Sequence, residues 1–167
     1  TLIPRAVKSK KIVVLRTLTK FFALPGLRIG YLVAHKEIIN KLKKYQPPWS
    51  VNSLAQLAGQ MILTDKGYIR KTCELIAKER NFLFKQIAKI EGLNIYPSFT
   101  NFVLVKIENK NLTSTYLEKK LIKKSLLVRN CANFKGLGNK FIRIAVRTHK
   151  ENLKLLQSLN SIVVSYR

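Results

Sequence analysis

The alternation of short apolar runs with stretches of helical period constrains this chain more than any single residue does. Ile12-Val13-Val14-Leu15 is apolar and β-branched, the pattern of a buried strand. Pro25-Gly26 marks a turn, and residues 29–34 (IGYLVA) read as a second strand. Residues 36–45 have helical period, with Ile38, Ile39 and Leu42 on one face, and Pro47-Pro48 breaks that helix. Asn52-Ser53 caps a helix running to about Leu63. Asp65 caps a long helix over residues 66–90, with Ile69, Cys73, Ile76, Ala77, Phe84 and Ile87 as its apolar stripe and Gly92 as its stop. Beyond it the pattern predicts strands at 102–107, 126–128 and 141–146. It predicts helices at 112–124, opened by Thr113-Ser114-Thr115, and at 151–164, with a glycine-containing loop over 133–140. This order defines an α/β chain. The core expected for its later part is Phe102, Val103, Val105, Leu121, Phe141, Ile144, Val146, Leu153 and Leu156.

Composition limits the class. The chain has 167 residues, 47% of them apolar, enough for one packed domain or one and a part. It carries 32 basic and 8 acidic residues, a formal net charge of +24. That charge raises nucleic-acid binding as a function, but the lysines are spread over the length of the chain. No basic tail, RNA-binding aromatic motif or zinc-finger spacing accompanies them, so the charge reads as a solvated surface. No apolar run reaches the ~18 residues of a membrane span. No basic-then-apolar leader opens the chain, which sets the expected compartment as the cytoplasm. Cys73 and Cys131 lack CxxC or His-partner spacing and read as free thiols of a reducing compartment. His35 and His149 are far apart in sequence, and no metal site is expected.

One segment is denser in chemistry than the rest: Thr17-Leu18-Thr19-Lys20-Phe21-Phe22-Ala23-Leu24-Pro25-Gly26-Leu27-Arg28-Ile29-Gly30. A lysine follows an apolar strand, a hydroxyl stands three residues before it, and an arginine eight residues after. Desolvation at an apolar strand end favours the neutral amine that Schiff-base chemistry needs. Thr17 and Arg28 could converge on a phosphate dianion through a hydroxyl hydrogen bond and a permanently charged, bidentate guanidinium. The two glycines allow a tight turn beside them.

This segment resembles the cofactor-lysine motif of the class I and II aminotransferases: Ser/Thr, then Ser/Thr-Lys, then a Gly-x-Arg-x-Gly turn. The resemblance implies pyridoxal 5′-phosphate as cofactor, bound covalently by Lys20, with Thr17 and Arg28 holding its phosphate. Thr19 and Gly30 would shape the turn. It also implies the fold: a pyridoxal-phosphate-dependent transferase of fold type I, aspartate aminotransferase-like. Residues 1–46 would be the tail of the large cofactor-binding domain, 47–75 connecting helices and 76–167 the small C-terminal α/β domain. TLTKFFALPGLRIGYLVA, QPPWSVNSLAQLA, SFTNFVLV and NCANFKGLGNKFIRIAVRTHKEN narrow the likeness to two branches. One decarboxylates O-phospho-L-threonine to aminopropanol phosphate in cobalamin biosynthesis. The other, less closely similar, transaminates histidinol phosphate.

The same resemblance gives Arg143 the substrate α-carboxylate and Arg129 the substrate phosphate, with Arg147 a weaker candidate. Trp49 either lines the pocket mouth or packs as an ordinary aromatic. Asn101 either hydrogen-bonds near the cofactor or serves a turn, and Tyr31 is expected in the core. A homodimer with a small phosphorylated amino acid as substrate, and no membrane or nucleic-acid partner, is implied. The family's glycine phosphate turn, ring-stacking aromatic, Asn and pyridine-pairing Asp have no counterparts in this sequence, so the chain reads as a piece of a longer enzyme, expected to be inactive alone. The rival class is a non-catalytic basic remnant or nucleic-acid-binding module.

Overall fold

The computed structural model describes residues 1–166. They form two compact units, Thr1–Arg70 and the remainder from Lys71.

The first unit holds α1 (Ile3–Ala6), β1 (Val13–Thr17), β2 (Gly30–Ala34), α2 (Lys36–Lys43), α3 (Ser53–Thr64) and the start of α4 (Lys66–Ile87). β1 and β2 pair antiparallel, from Val13 opposite Ala34 to Thr17 opposite Gly30, and a 3-10 turn at Pro25–Leu27 lies between them. Side chains start the helices. The Asn52 Oδ1 accepts the Ala55 N–H at 2.8 Å, and the Asp65 Oδ1 accepts the Tyr68 N–H at 2.8 Å. β1 is not the buried strand that its sequence suggests: Leu15 is 75% exposed and Val13 46%. The sheet has only two strands, so among the described residues little covers its faces.

The second unit holds β3 (Leu93–Ile95), β4 (Phe102–Ile107), α5 (Ser114–Ile122), β5 (Arg129–Asn130), β6 (Phe141–Ala145) and α6 (His149–Val164). The strands form an antiparallel sheet in the order β3-β4-β6-β5. Val103, Val105 and Ile107 of β4 and Ile142 and Ile144 of β6 alternate onto one face. There they join the core with Leu83 and Ile87 of α4, Leu117 and Leu121 of α5, and Leu159 and Ile162 of α6. The opposite face carries Phe102, Leu104, Phe141 and Arg143. Phe102 is therefore exposed and Phe141 half-buried, against the expected core, since the strand period cannot place Phe141 and Ile144 on the same side; Leu153, on the outer side of α6, is exposed as well.

Boundaries differ in smaller ways. Residues 126–128 join no ladder, which forms at β5 instead. β3 was not anticipated; the chain regains strand geometry directly after the positive-φ turn at Gly92. The buried stripe of the lower α4 is Glu79, Leu83 and Ile87, while Cys73 and Phe84 are exposed. Glu79 is the only charged side chain in the core among the described residues. Its carboxylate is met by the His149 Nδ1 at 3.1 Å and by the Asn152 Nδ2–H at 2.9 Å. No helix among the described residues is long and apolar enough to cross a membrane.

Candidate active-site segments

Past β1 the chain dips inward and out again. Leu18 and Thr19 are buried, whereas Thr17 and Lys20 face solvent. The Leu18 N–H donates to the Ile29 carbonyl at 3.1 Å, and the Leu24 N–H to the Thr19 carbonyl at 3.1 Å. These bonds close the loop over residues 18–29 onto itself. The hydroxyls of Thr17 and Thr19 lie 2.9 Å apart, so Thr19 orients Thr17 from beneath. Phe22 stacks on Tyr68 with ring centroids 5.6 Å apart, and the Tyr68 hydroxyl donates to the Phe21 carbonyl at 3.3 Å. The two residues that follow Lys20 are thereby tied to the start of α4.

Two backbone features mark the segment. A Cβ on Gly30 would lie 2.6 Å from the Arg16 carbonyl oxygen, so the close pairing with Thr17 admits only glycine. Arg28 has φ 50° and ψ 46°, left-handed geometry that a bulky residue adopts at a cost. Its guanidinium donates to the Pro25 carbonyl at 3.1 Å. Thr17, Thr19, Arg28 and Gly30 line one cleft of about 820 Å³, together with Arg16, Tyr31, Ile39, Leu42, Lys43 and Gln46. A hydroxyl and a permanent cation are among the donors a phosphate monoester takes, and Thr17 and Arg28 fit such a group. Lys20 does not line that cleft, and its amine makes no hydrogen bond or ion pair among the described residues. The apolar burial that the sequence suggests for it is absent.

In the second unit Arg143 stands opposite Leu104 on β4 and opposite Arg129 on β5. The Arg129 Nη2–H donates to the Asn133 Oδ1 at 3.0 Å. Cys131, next along β5, is buried; burial pushes its thiol up, against the opposing pull of the Arg143 and Arg129 guanidiniums. Arg147 is engaged elsewhere, in a 2.7 Å ion pair with Glu151. Trp49 is 97% exposed, neither packed nor lining the cleft. Tyr31 is exposed on the cleft wall and not in the core. Asn101 is exposed and accepts the Val146 N–H at 2.9 Å through its backbone carbonyl. The sequence reading missed Asn133 and the rings of Phe102 and Phe134, which lie against the two arginines. The odd-even register of β4 and β6 was the signal available for Phe102.

Thr17, Lys20 and Arg28 thus stand on or beside one self-closed turn of an α/β chain. Comparison identifies the family: a family model for aminotransferase class I and II matches residues 2–159, and the chain belongs to that family. The cofactor of that family is pyridoxal 5′-phosphate, present in the solved histidinol-phosphate aminotransferase of Sinorhizobium meliloti. The threonine-phosphate decarboxylase of Salmonella typhimurium is 35% identical over 162 residues, covering 96% of this chain and 44% of that protein. The histidinol-phosphate aminotransferase of Clostridium acetobutylicum superposes with a TM-score of 0.92 at 33% identity, covering 99% of this chain and 49% of that one. The L-threonine-O-3-phosphate decarboxylase of Porphyromonas gingivalis superposes with a TM-score of 0.85 at 26% identity, covering 96% and 49%. The fold is thus that of the type I pyridoxal-phosphate transferases, and the chain spans about half the length of the relatives it matches.

Proposed function

We propose that this chain is the lysine-bearing part of a pyridoxal-phosphate enzyme acting on a phosphorylated amino acid, and that its reaction is decarboxylation of O-phospho-L-threonine to aminopropanol phosphate. The observation that carries the cofactor reading is the cleft shared by Thr17, Arg28 and Gly30 on the turn that bears Lys20. Thr17 and Arg28 hold the cofactor phosphate, and Lys20 Nζ is the point of covalent attachment. The bound cofactor supplies an electron sink for the pair left on the substrate Cα. Arg143 grips the α-carboxylate and so sets which bond at Cα is aligned to break; Arg129 takes the phosphate ester. When the Cα–carboxylate bond breaks and carbon dioxide leaves, Lys20 Nζ, released as an ammonium, would deliver its proton to Cα and be left as the neutral amine.

The likeness to the Salmonella decarboxylase supports that reaction. The likeness to the Clostridium acetobutylicum structure favours a second reading, transamination of histidinol phosphate, in which the Cα–H bond breaks and Lys20 takes the proton. Residues 1–46 are read as the tail of the large domain, 47–75 as connecting helices and 76–167 as the small domain. The assembled enzyme is read as a homodimer of the cytoplasm; family resemblance supports both.

Mixing the chain with pyridoxal 5′-phosphate, reducing with borohydride and mapping the modified peptide tests the assignment. An imine absorption band and a trapped adduct at Lys20, absent from Lys20→Ala, is the expected result. Labelling spread over the surface lysines would overturn it. With a full-length enzyme, phosphorus NMR of the products separates aminopropanol phosphate from transamination products.

A further inference from the structure

Arg129 and Arg143 form a cross-strand pair of like charge. Directly opposed residues of an antiparallel pair share a face, with Cβ atoms about 4.5–5.5 Å apart, and two cations there repel. Neither has a carboxylate partner among the described residues. Aromatic rings hold them instead. The Arg143 Cζ lies 4.8 Å from the centroid of Phe102, its diagonal neighbour across β4 and β6. The Arg129 Cζ lies 5.4 Å from the centroid of Phe134. Phe102 is 36% exposed on a strand whose inward positions are fully buried, so its ring is not needed to fill the core.

An aromatic face and a carboxylate restrain a guanidinium in different ways. A carboxylate neutralises the cation and occupies its N–H groups. A ring attracts it through the quadrupole and leaves the in-plane N–H groups free for an anion. From this we infer that Phe102 is a positioning residue for Arg143, and that Phe134 with Asn133 plays the same part for Arg129. The braces hold two mutually repelling cations in place without discharging them, which suits a substrate bearing two separate anionic groups. This deepens the reading of Arg143 and Arg129 as the holders of carboxylate and phosphate, and rests on it.

The test uses the full chain, labelled with nitrogen-15, and needs no cofactor. The Nε–Hε resonance of Arg143, assigned by its loss in Arg143→Lys, is shifted by the Phe102 ring current. That shift disappears in Phe102→Leu. Titration with O-phospho-L-threonine is read on the same resonance and on those of the neighbouring β6 amides. Phe102→Leu weakens the apparent affinity about two- to fivefold, the range of an exposed cation–π contact, and Phe102→Tyr restores it. The tyrosine variant keeps the proposal testable should the leucine variant perturb the sheet: a weakening equal to that of leucine would overturn the brace. Phe102→Leu titrating like the unsubstituted chain, while Arg143→Gln loses binding, would overturn the brace and leave the anion-site reading standing. Arg143→Gln titrating like the unsubstituted chain, or an unsubstituted chain that gives no response, would overturn the anion site and the brace with it.

Discussion

At the scale of single residues, Gly30 is the position where chemistry leaves no choice. Its φ is ordinary, and what forbids a side chain is the Arg16 carbonyl oxygen 2.6 Å from where a Cβ would sit. Gly30→Ala therefore forces β2 away from β1 at Thr17, beside the proposed phosphate donors. The expected cost is about 1–3 kcal/mol, the range for overpacking a tight site. Amide exchange would check it: the β1–β2 hydrogen bonds near Thr17 should lose protection while those of β4 and β6 keep theirs. The motif spacing already marked Gly30 as part of a turn, yet the clash that requires glycine depends on strand register, which no spacing reveals. Arg28 shows the same limit. Its charge and position were legible, but its left-handed backbone arises from closure of the loop over residues 18–29. Lys20 stood out equally, while its exposure in this chain did not, because burial is a property of neighbours.

At the scale of elements, the start of α6 carries two independent anchors. Thr148-His149-Lys150-Glu151 is a capping box: the Glu151 Oε2 accepts the Thr148 N–H at 3.1 Å and its hydroxyl at 2.6 Å. These bonds, with that from Arg147, hold the Glu151 carboxyl at about 2, below its ordinary 4.5. A carboxyl lowered on folding contributes stability above its unfolded value and loses it as pH falls through the folded one. Glu151→Gln should therefore cost up to about 1 kcal/mol near neutrality, discounted because the group is half exposed. The difference from the unsubstituted chain should shrink as pH falls from about 4.5 towards 2. Urea unfolding at three pH values would show it, and a gap independent of pH would assign the loss to helix propensity.

The second anchor is buried. Glu79→Ala removes one of the Asn152 amide's two acceptors, the other being the Arg147 carbonyl, and the partner of the His149 ring, and should lower the urea midpoint by the equivalent of about 1–3 kcal/mol. Glu79→Gln, which keeps an acceptor for Asn152, should recover part of it. The capping pattern was readable in the sequence, and reading only the apolar period put the helix start two residues late. Glu79 was not readable, since a glutamate on a lysine-rich helix looks like a solvent residue until the partner helix is placed.

At the scale of the whole molecule, apolar content and apolar burial separate. The contiguous core runs entirely through residues 83–163. In the first unit the buried residues are small or few, with Leu18 the only large apolar one among Ala6, Ala34 and Ala55. Yet β1 opens with an apolar run of its own, Val13-Val14-Leu15. A sequence records how much a segment gains from being covered and says nothing about what covers it, so most of the α/β order was legible, α1 and β3 excepted, while the exposure of Leu15, Leu54 and Met61 was not. Local opening is cheapest where few apolar contacts must be broken. Hydrogen exchange of the intact chain should therefore divide at about residue 70. Amides of β4, β6, α5 and α6 should exchange at least about 100-fold more slowly than those of β1 and β2, the difference expected when only one set needs global unfolding to open. Equal protection across both units, lost on dilution, would mean that the apolar faces of β1 and β2 are covered in solution by a second copy of the chain.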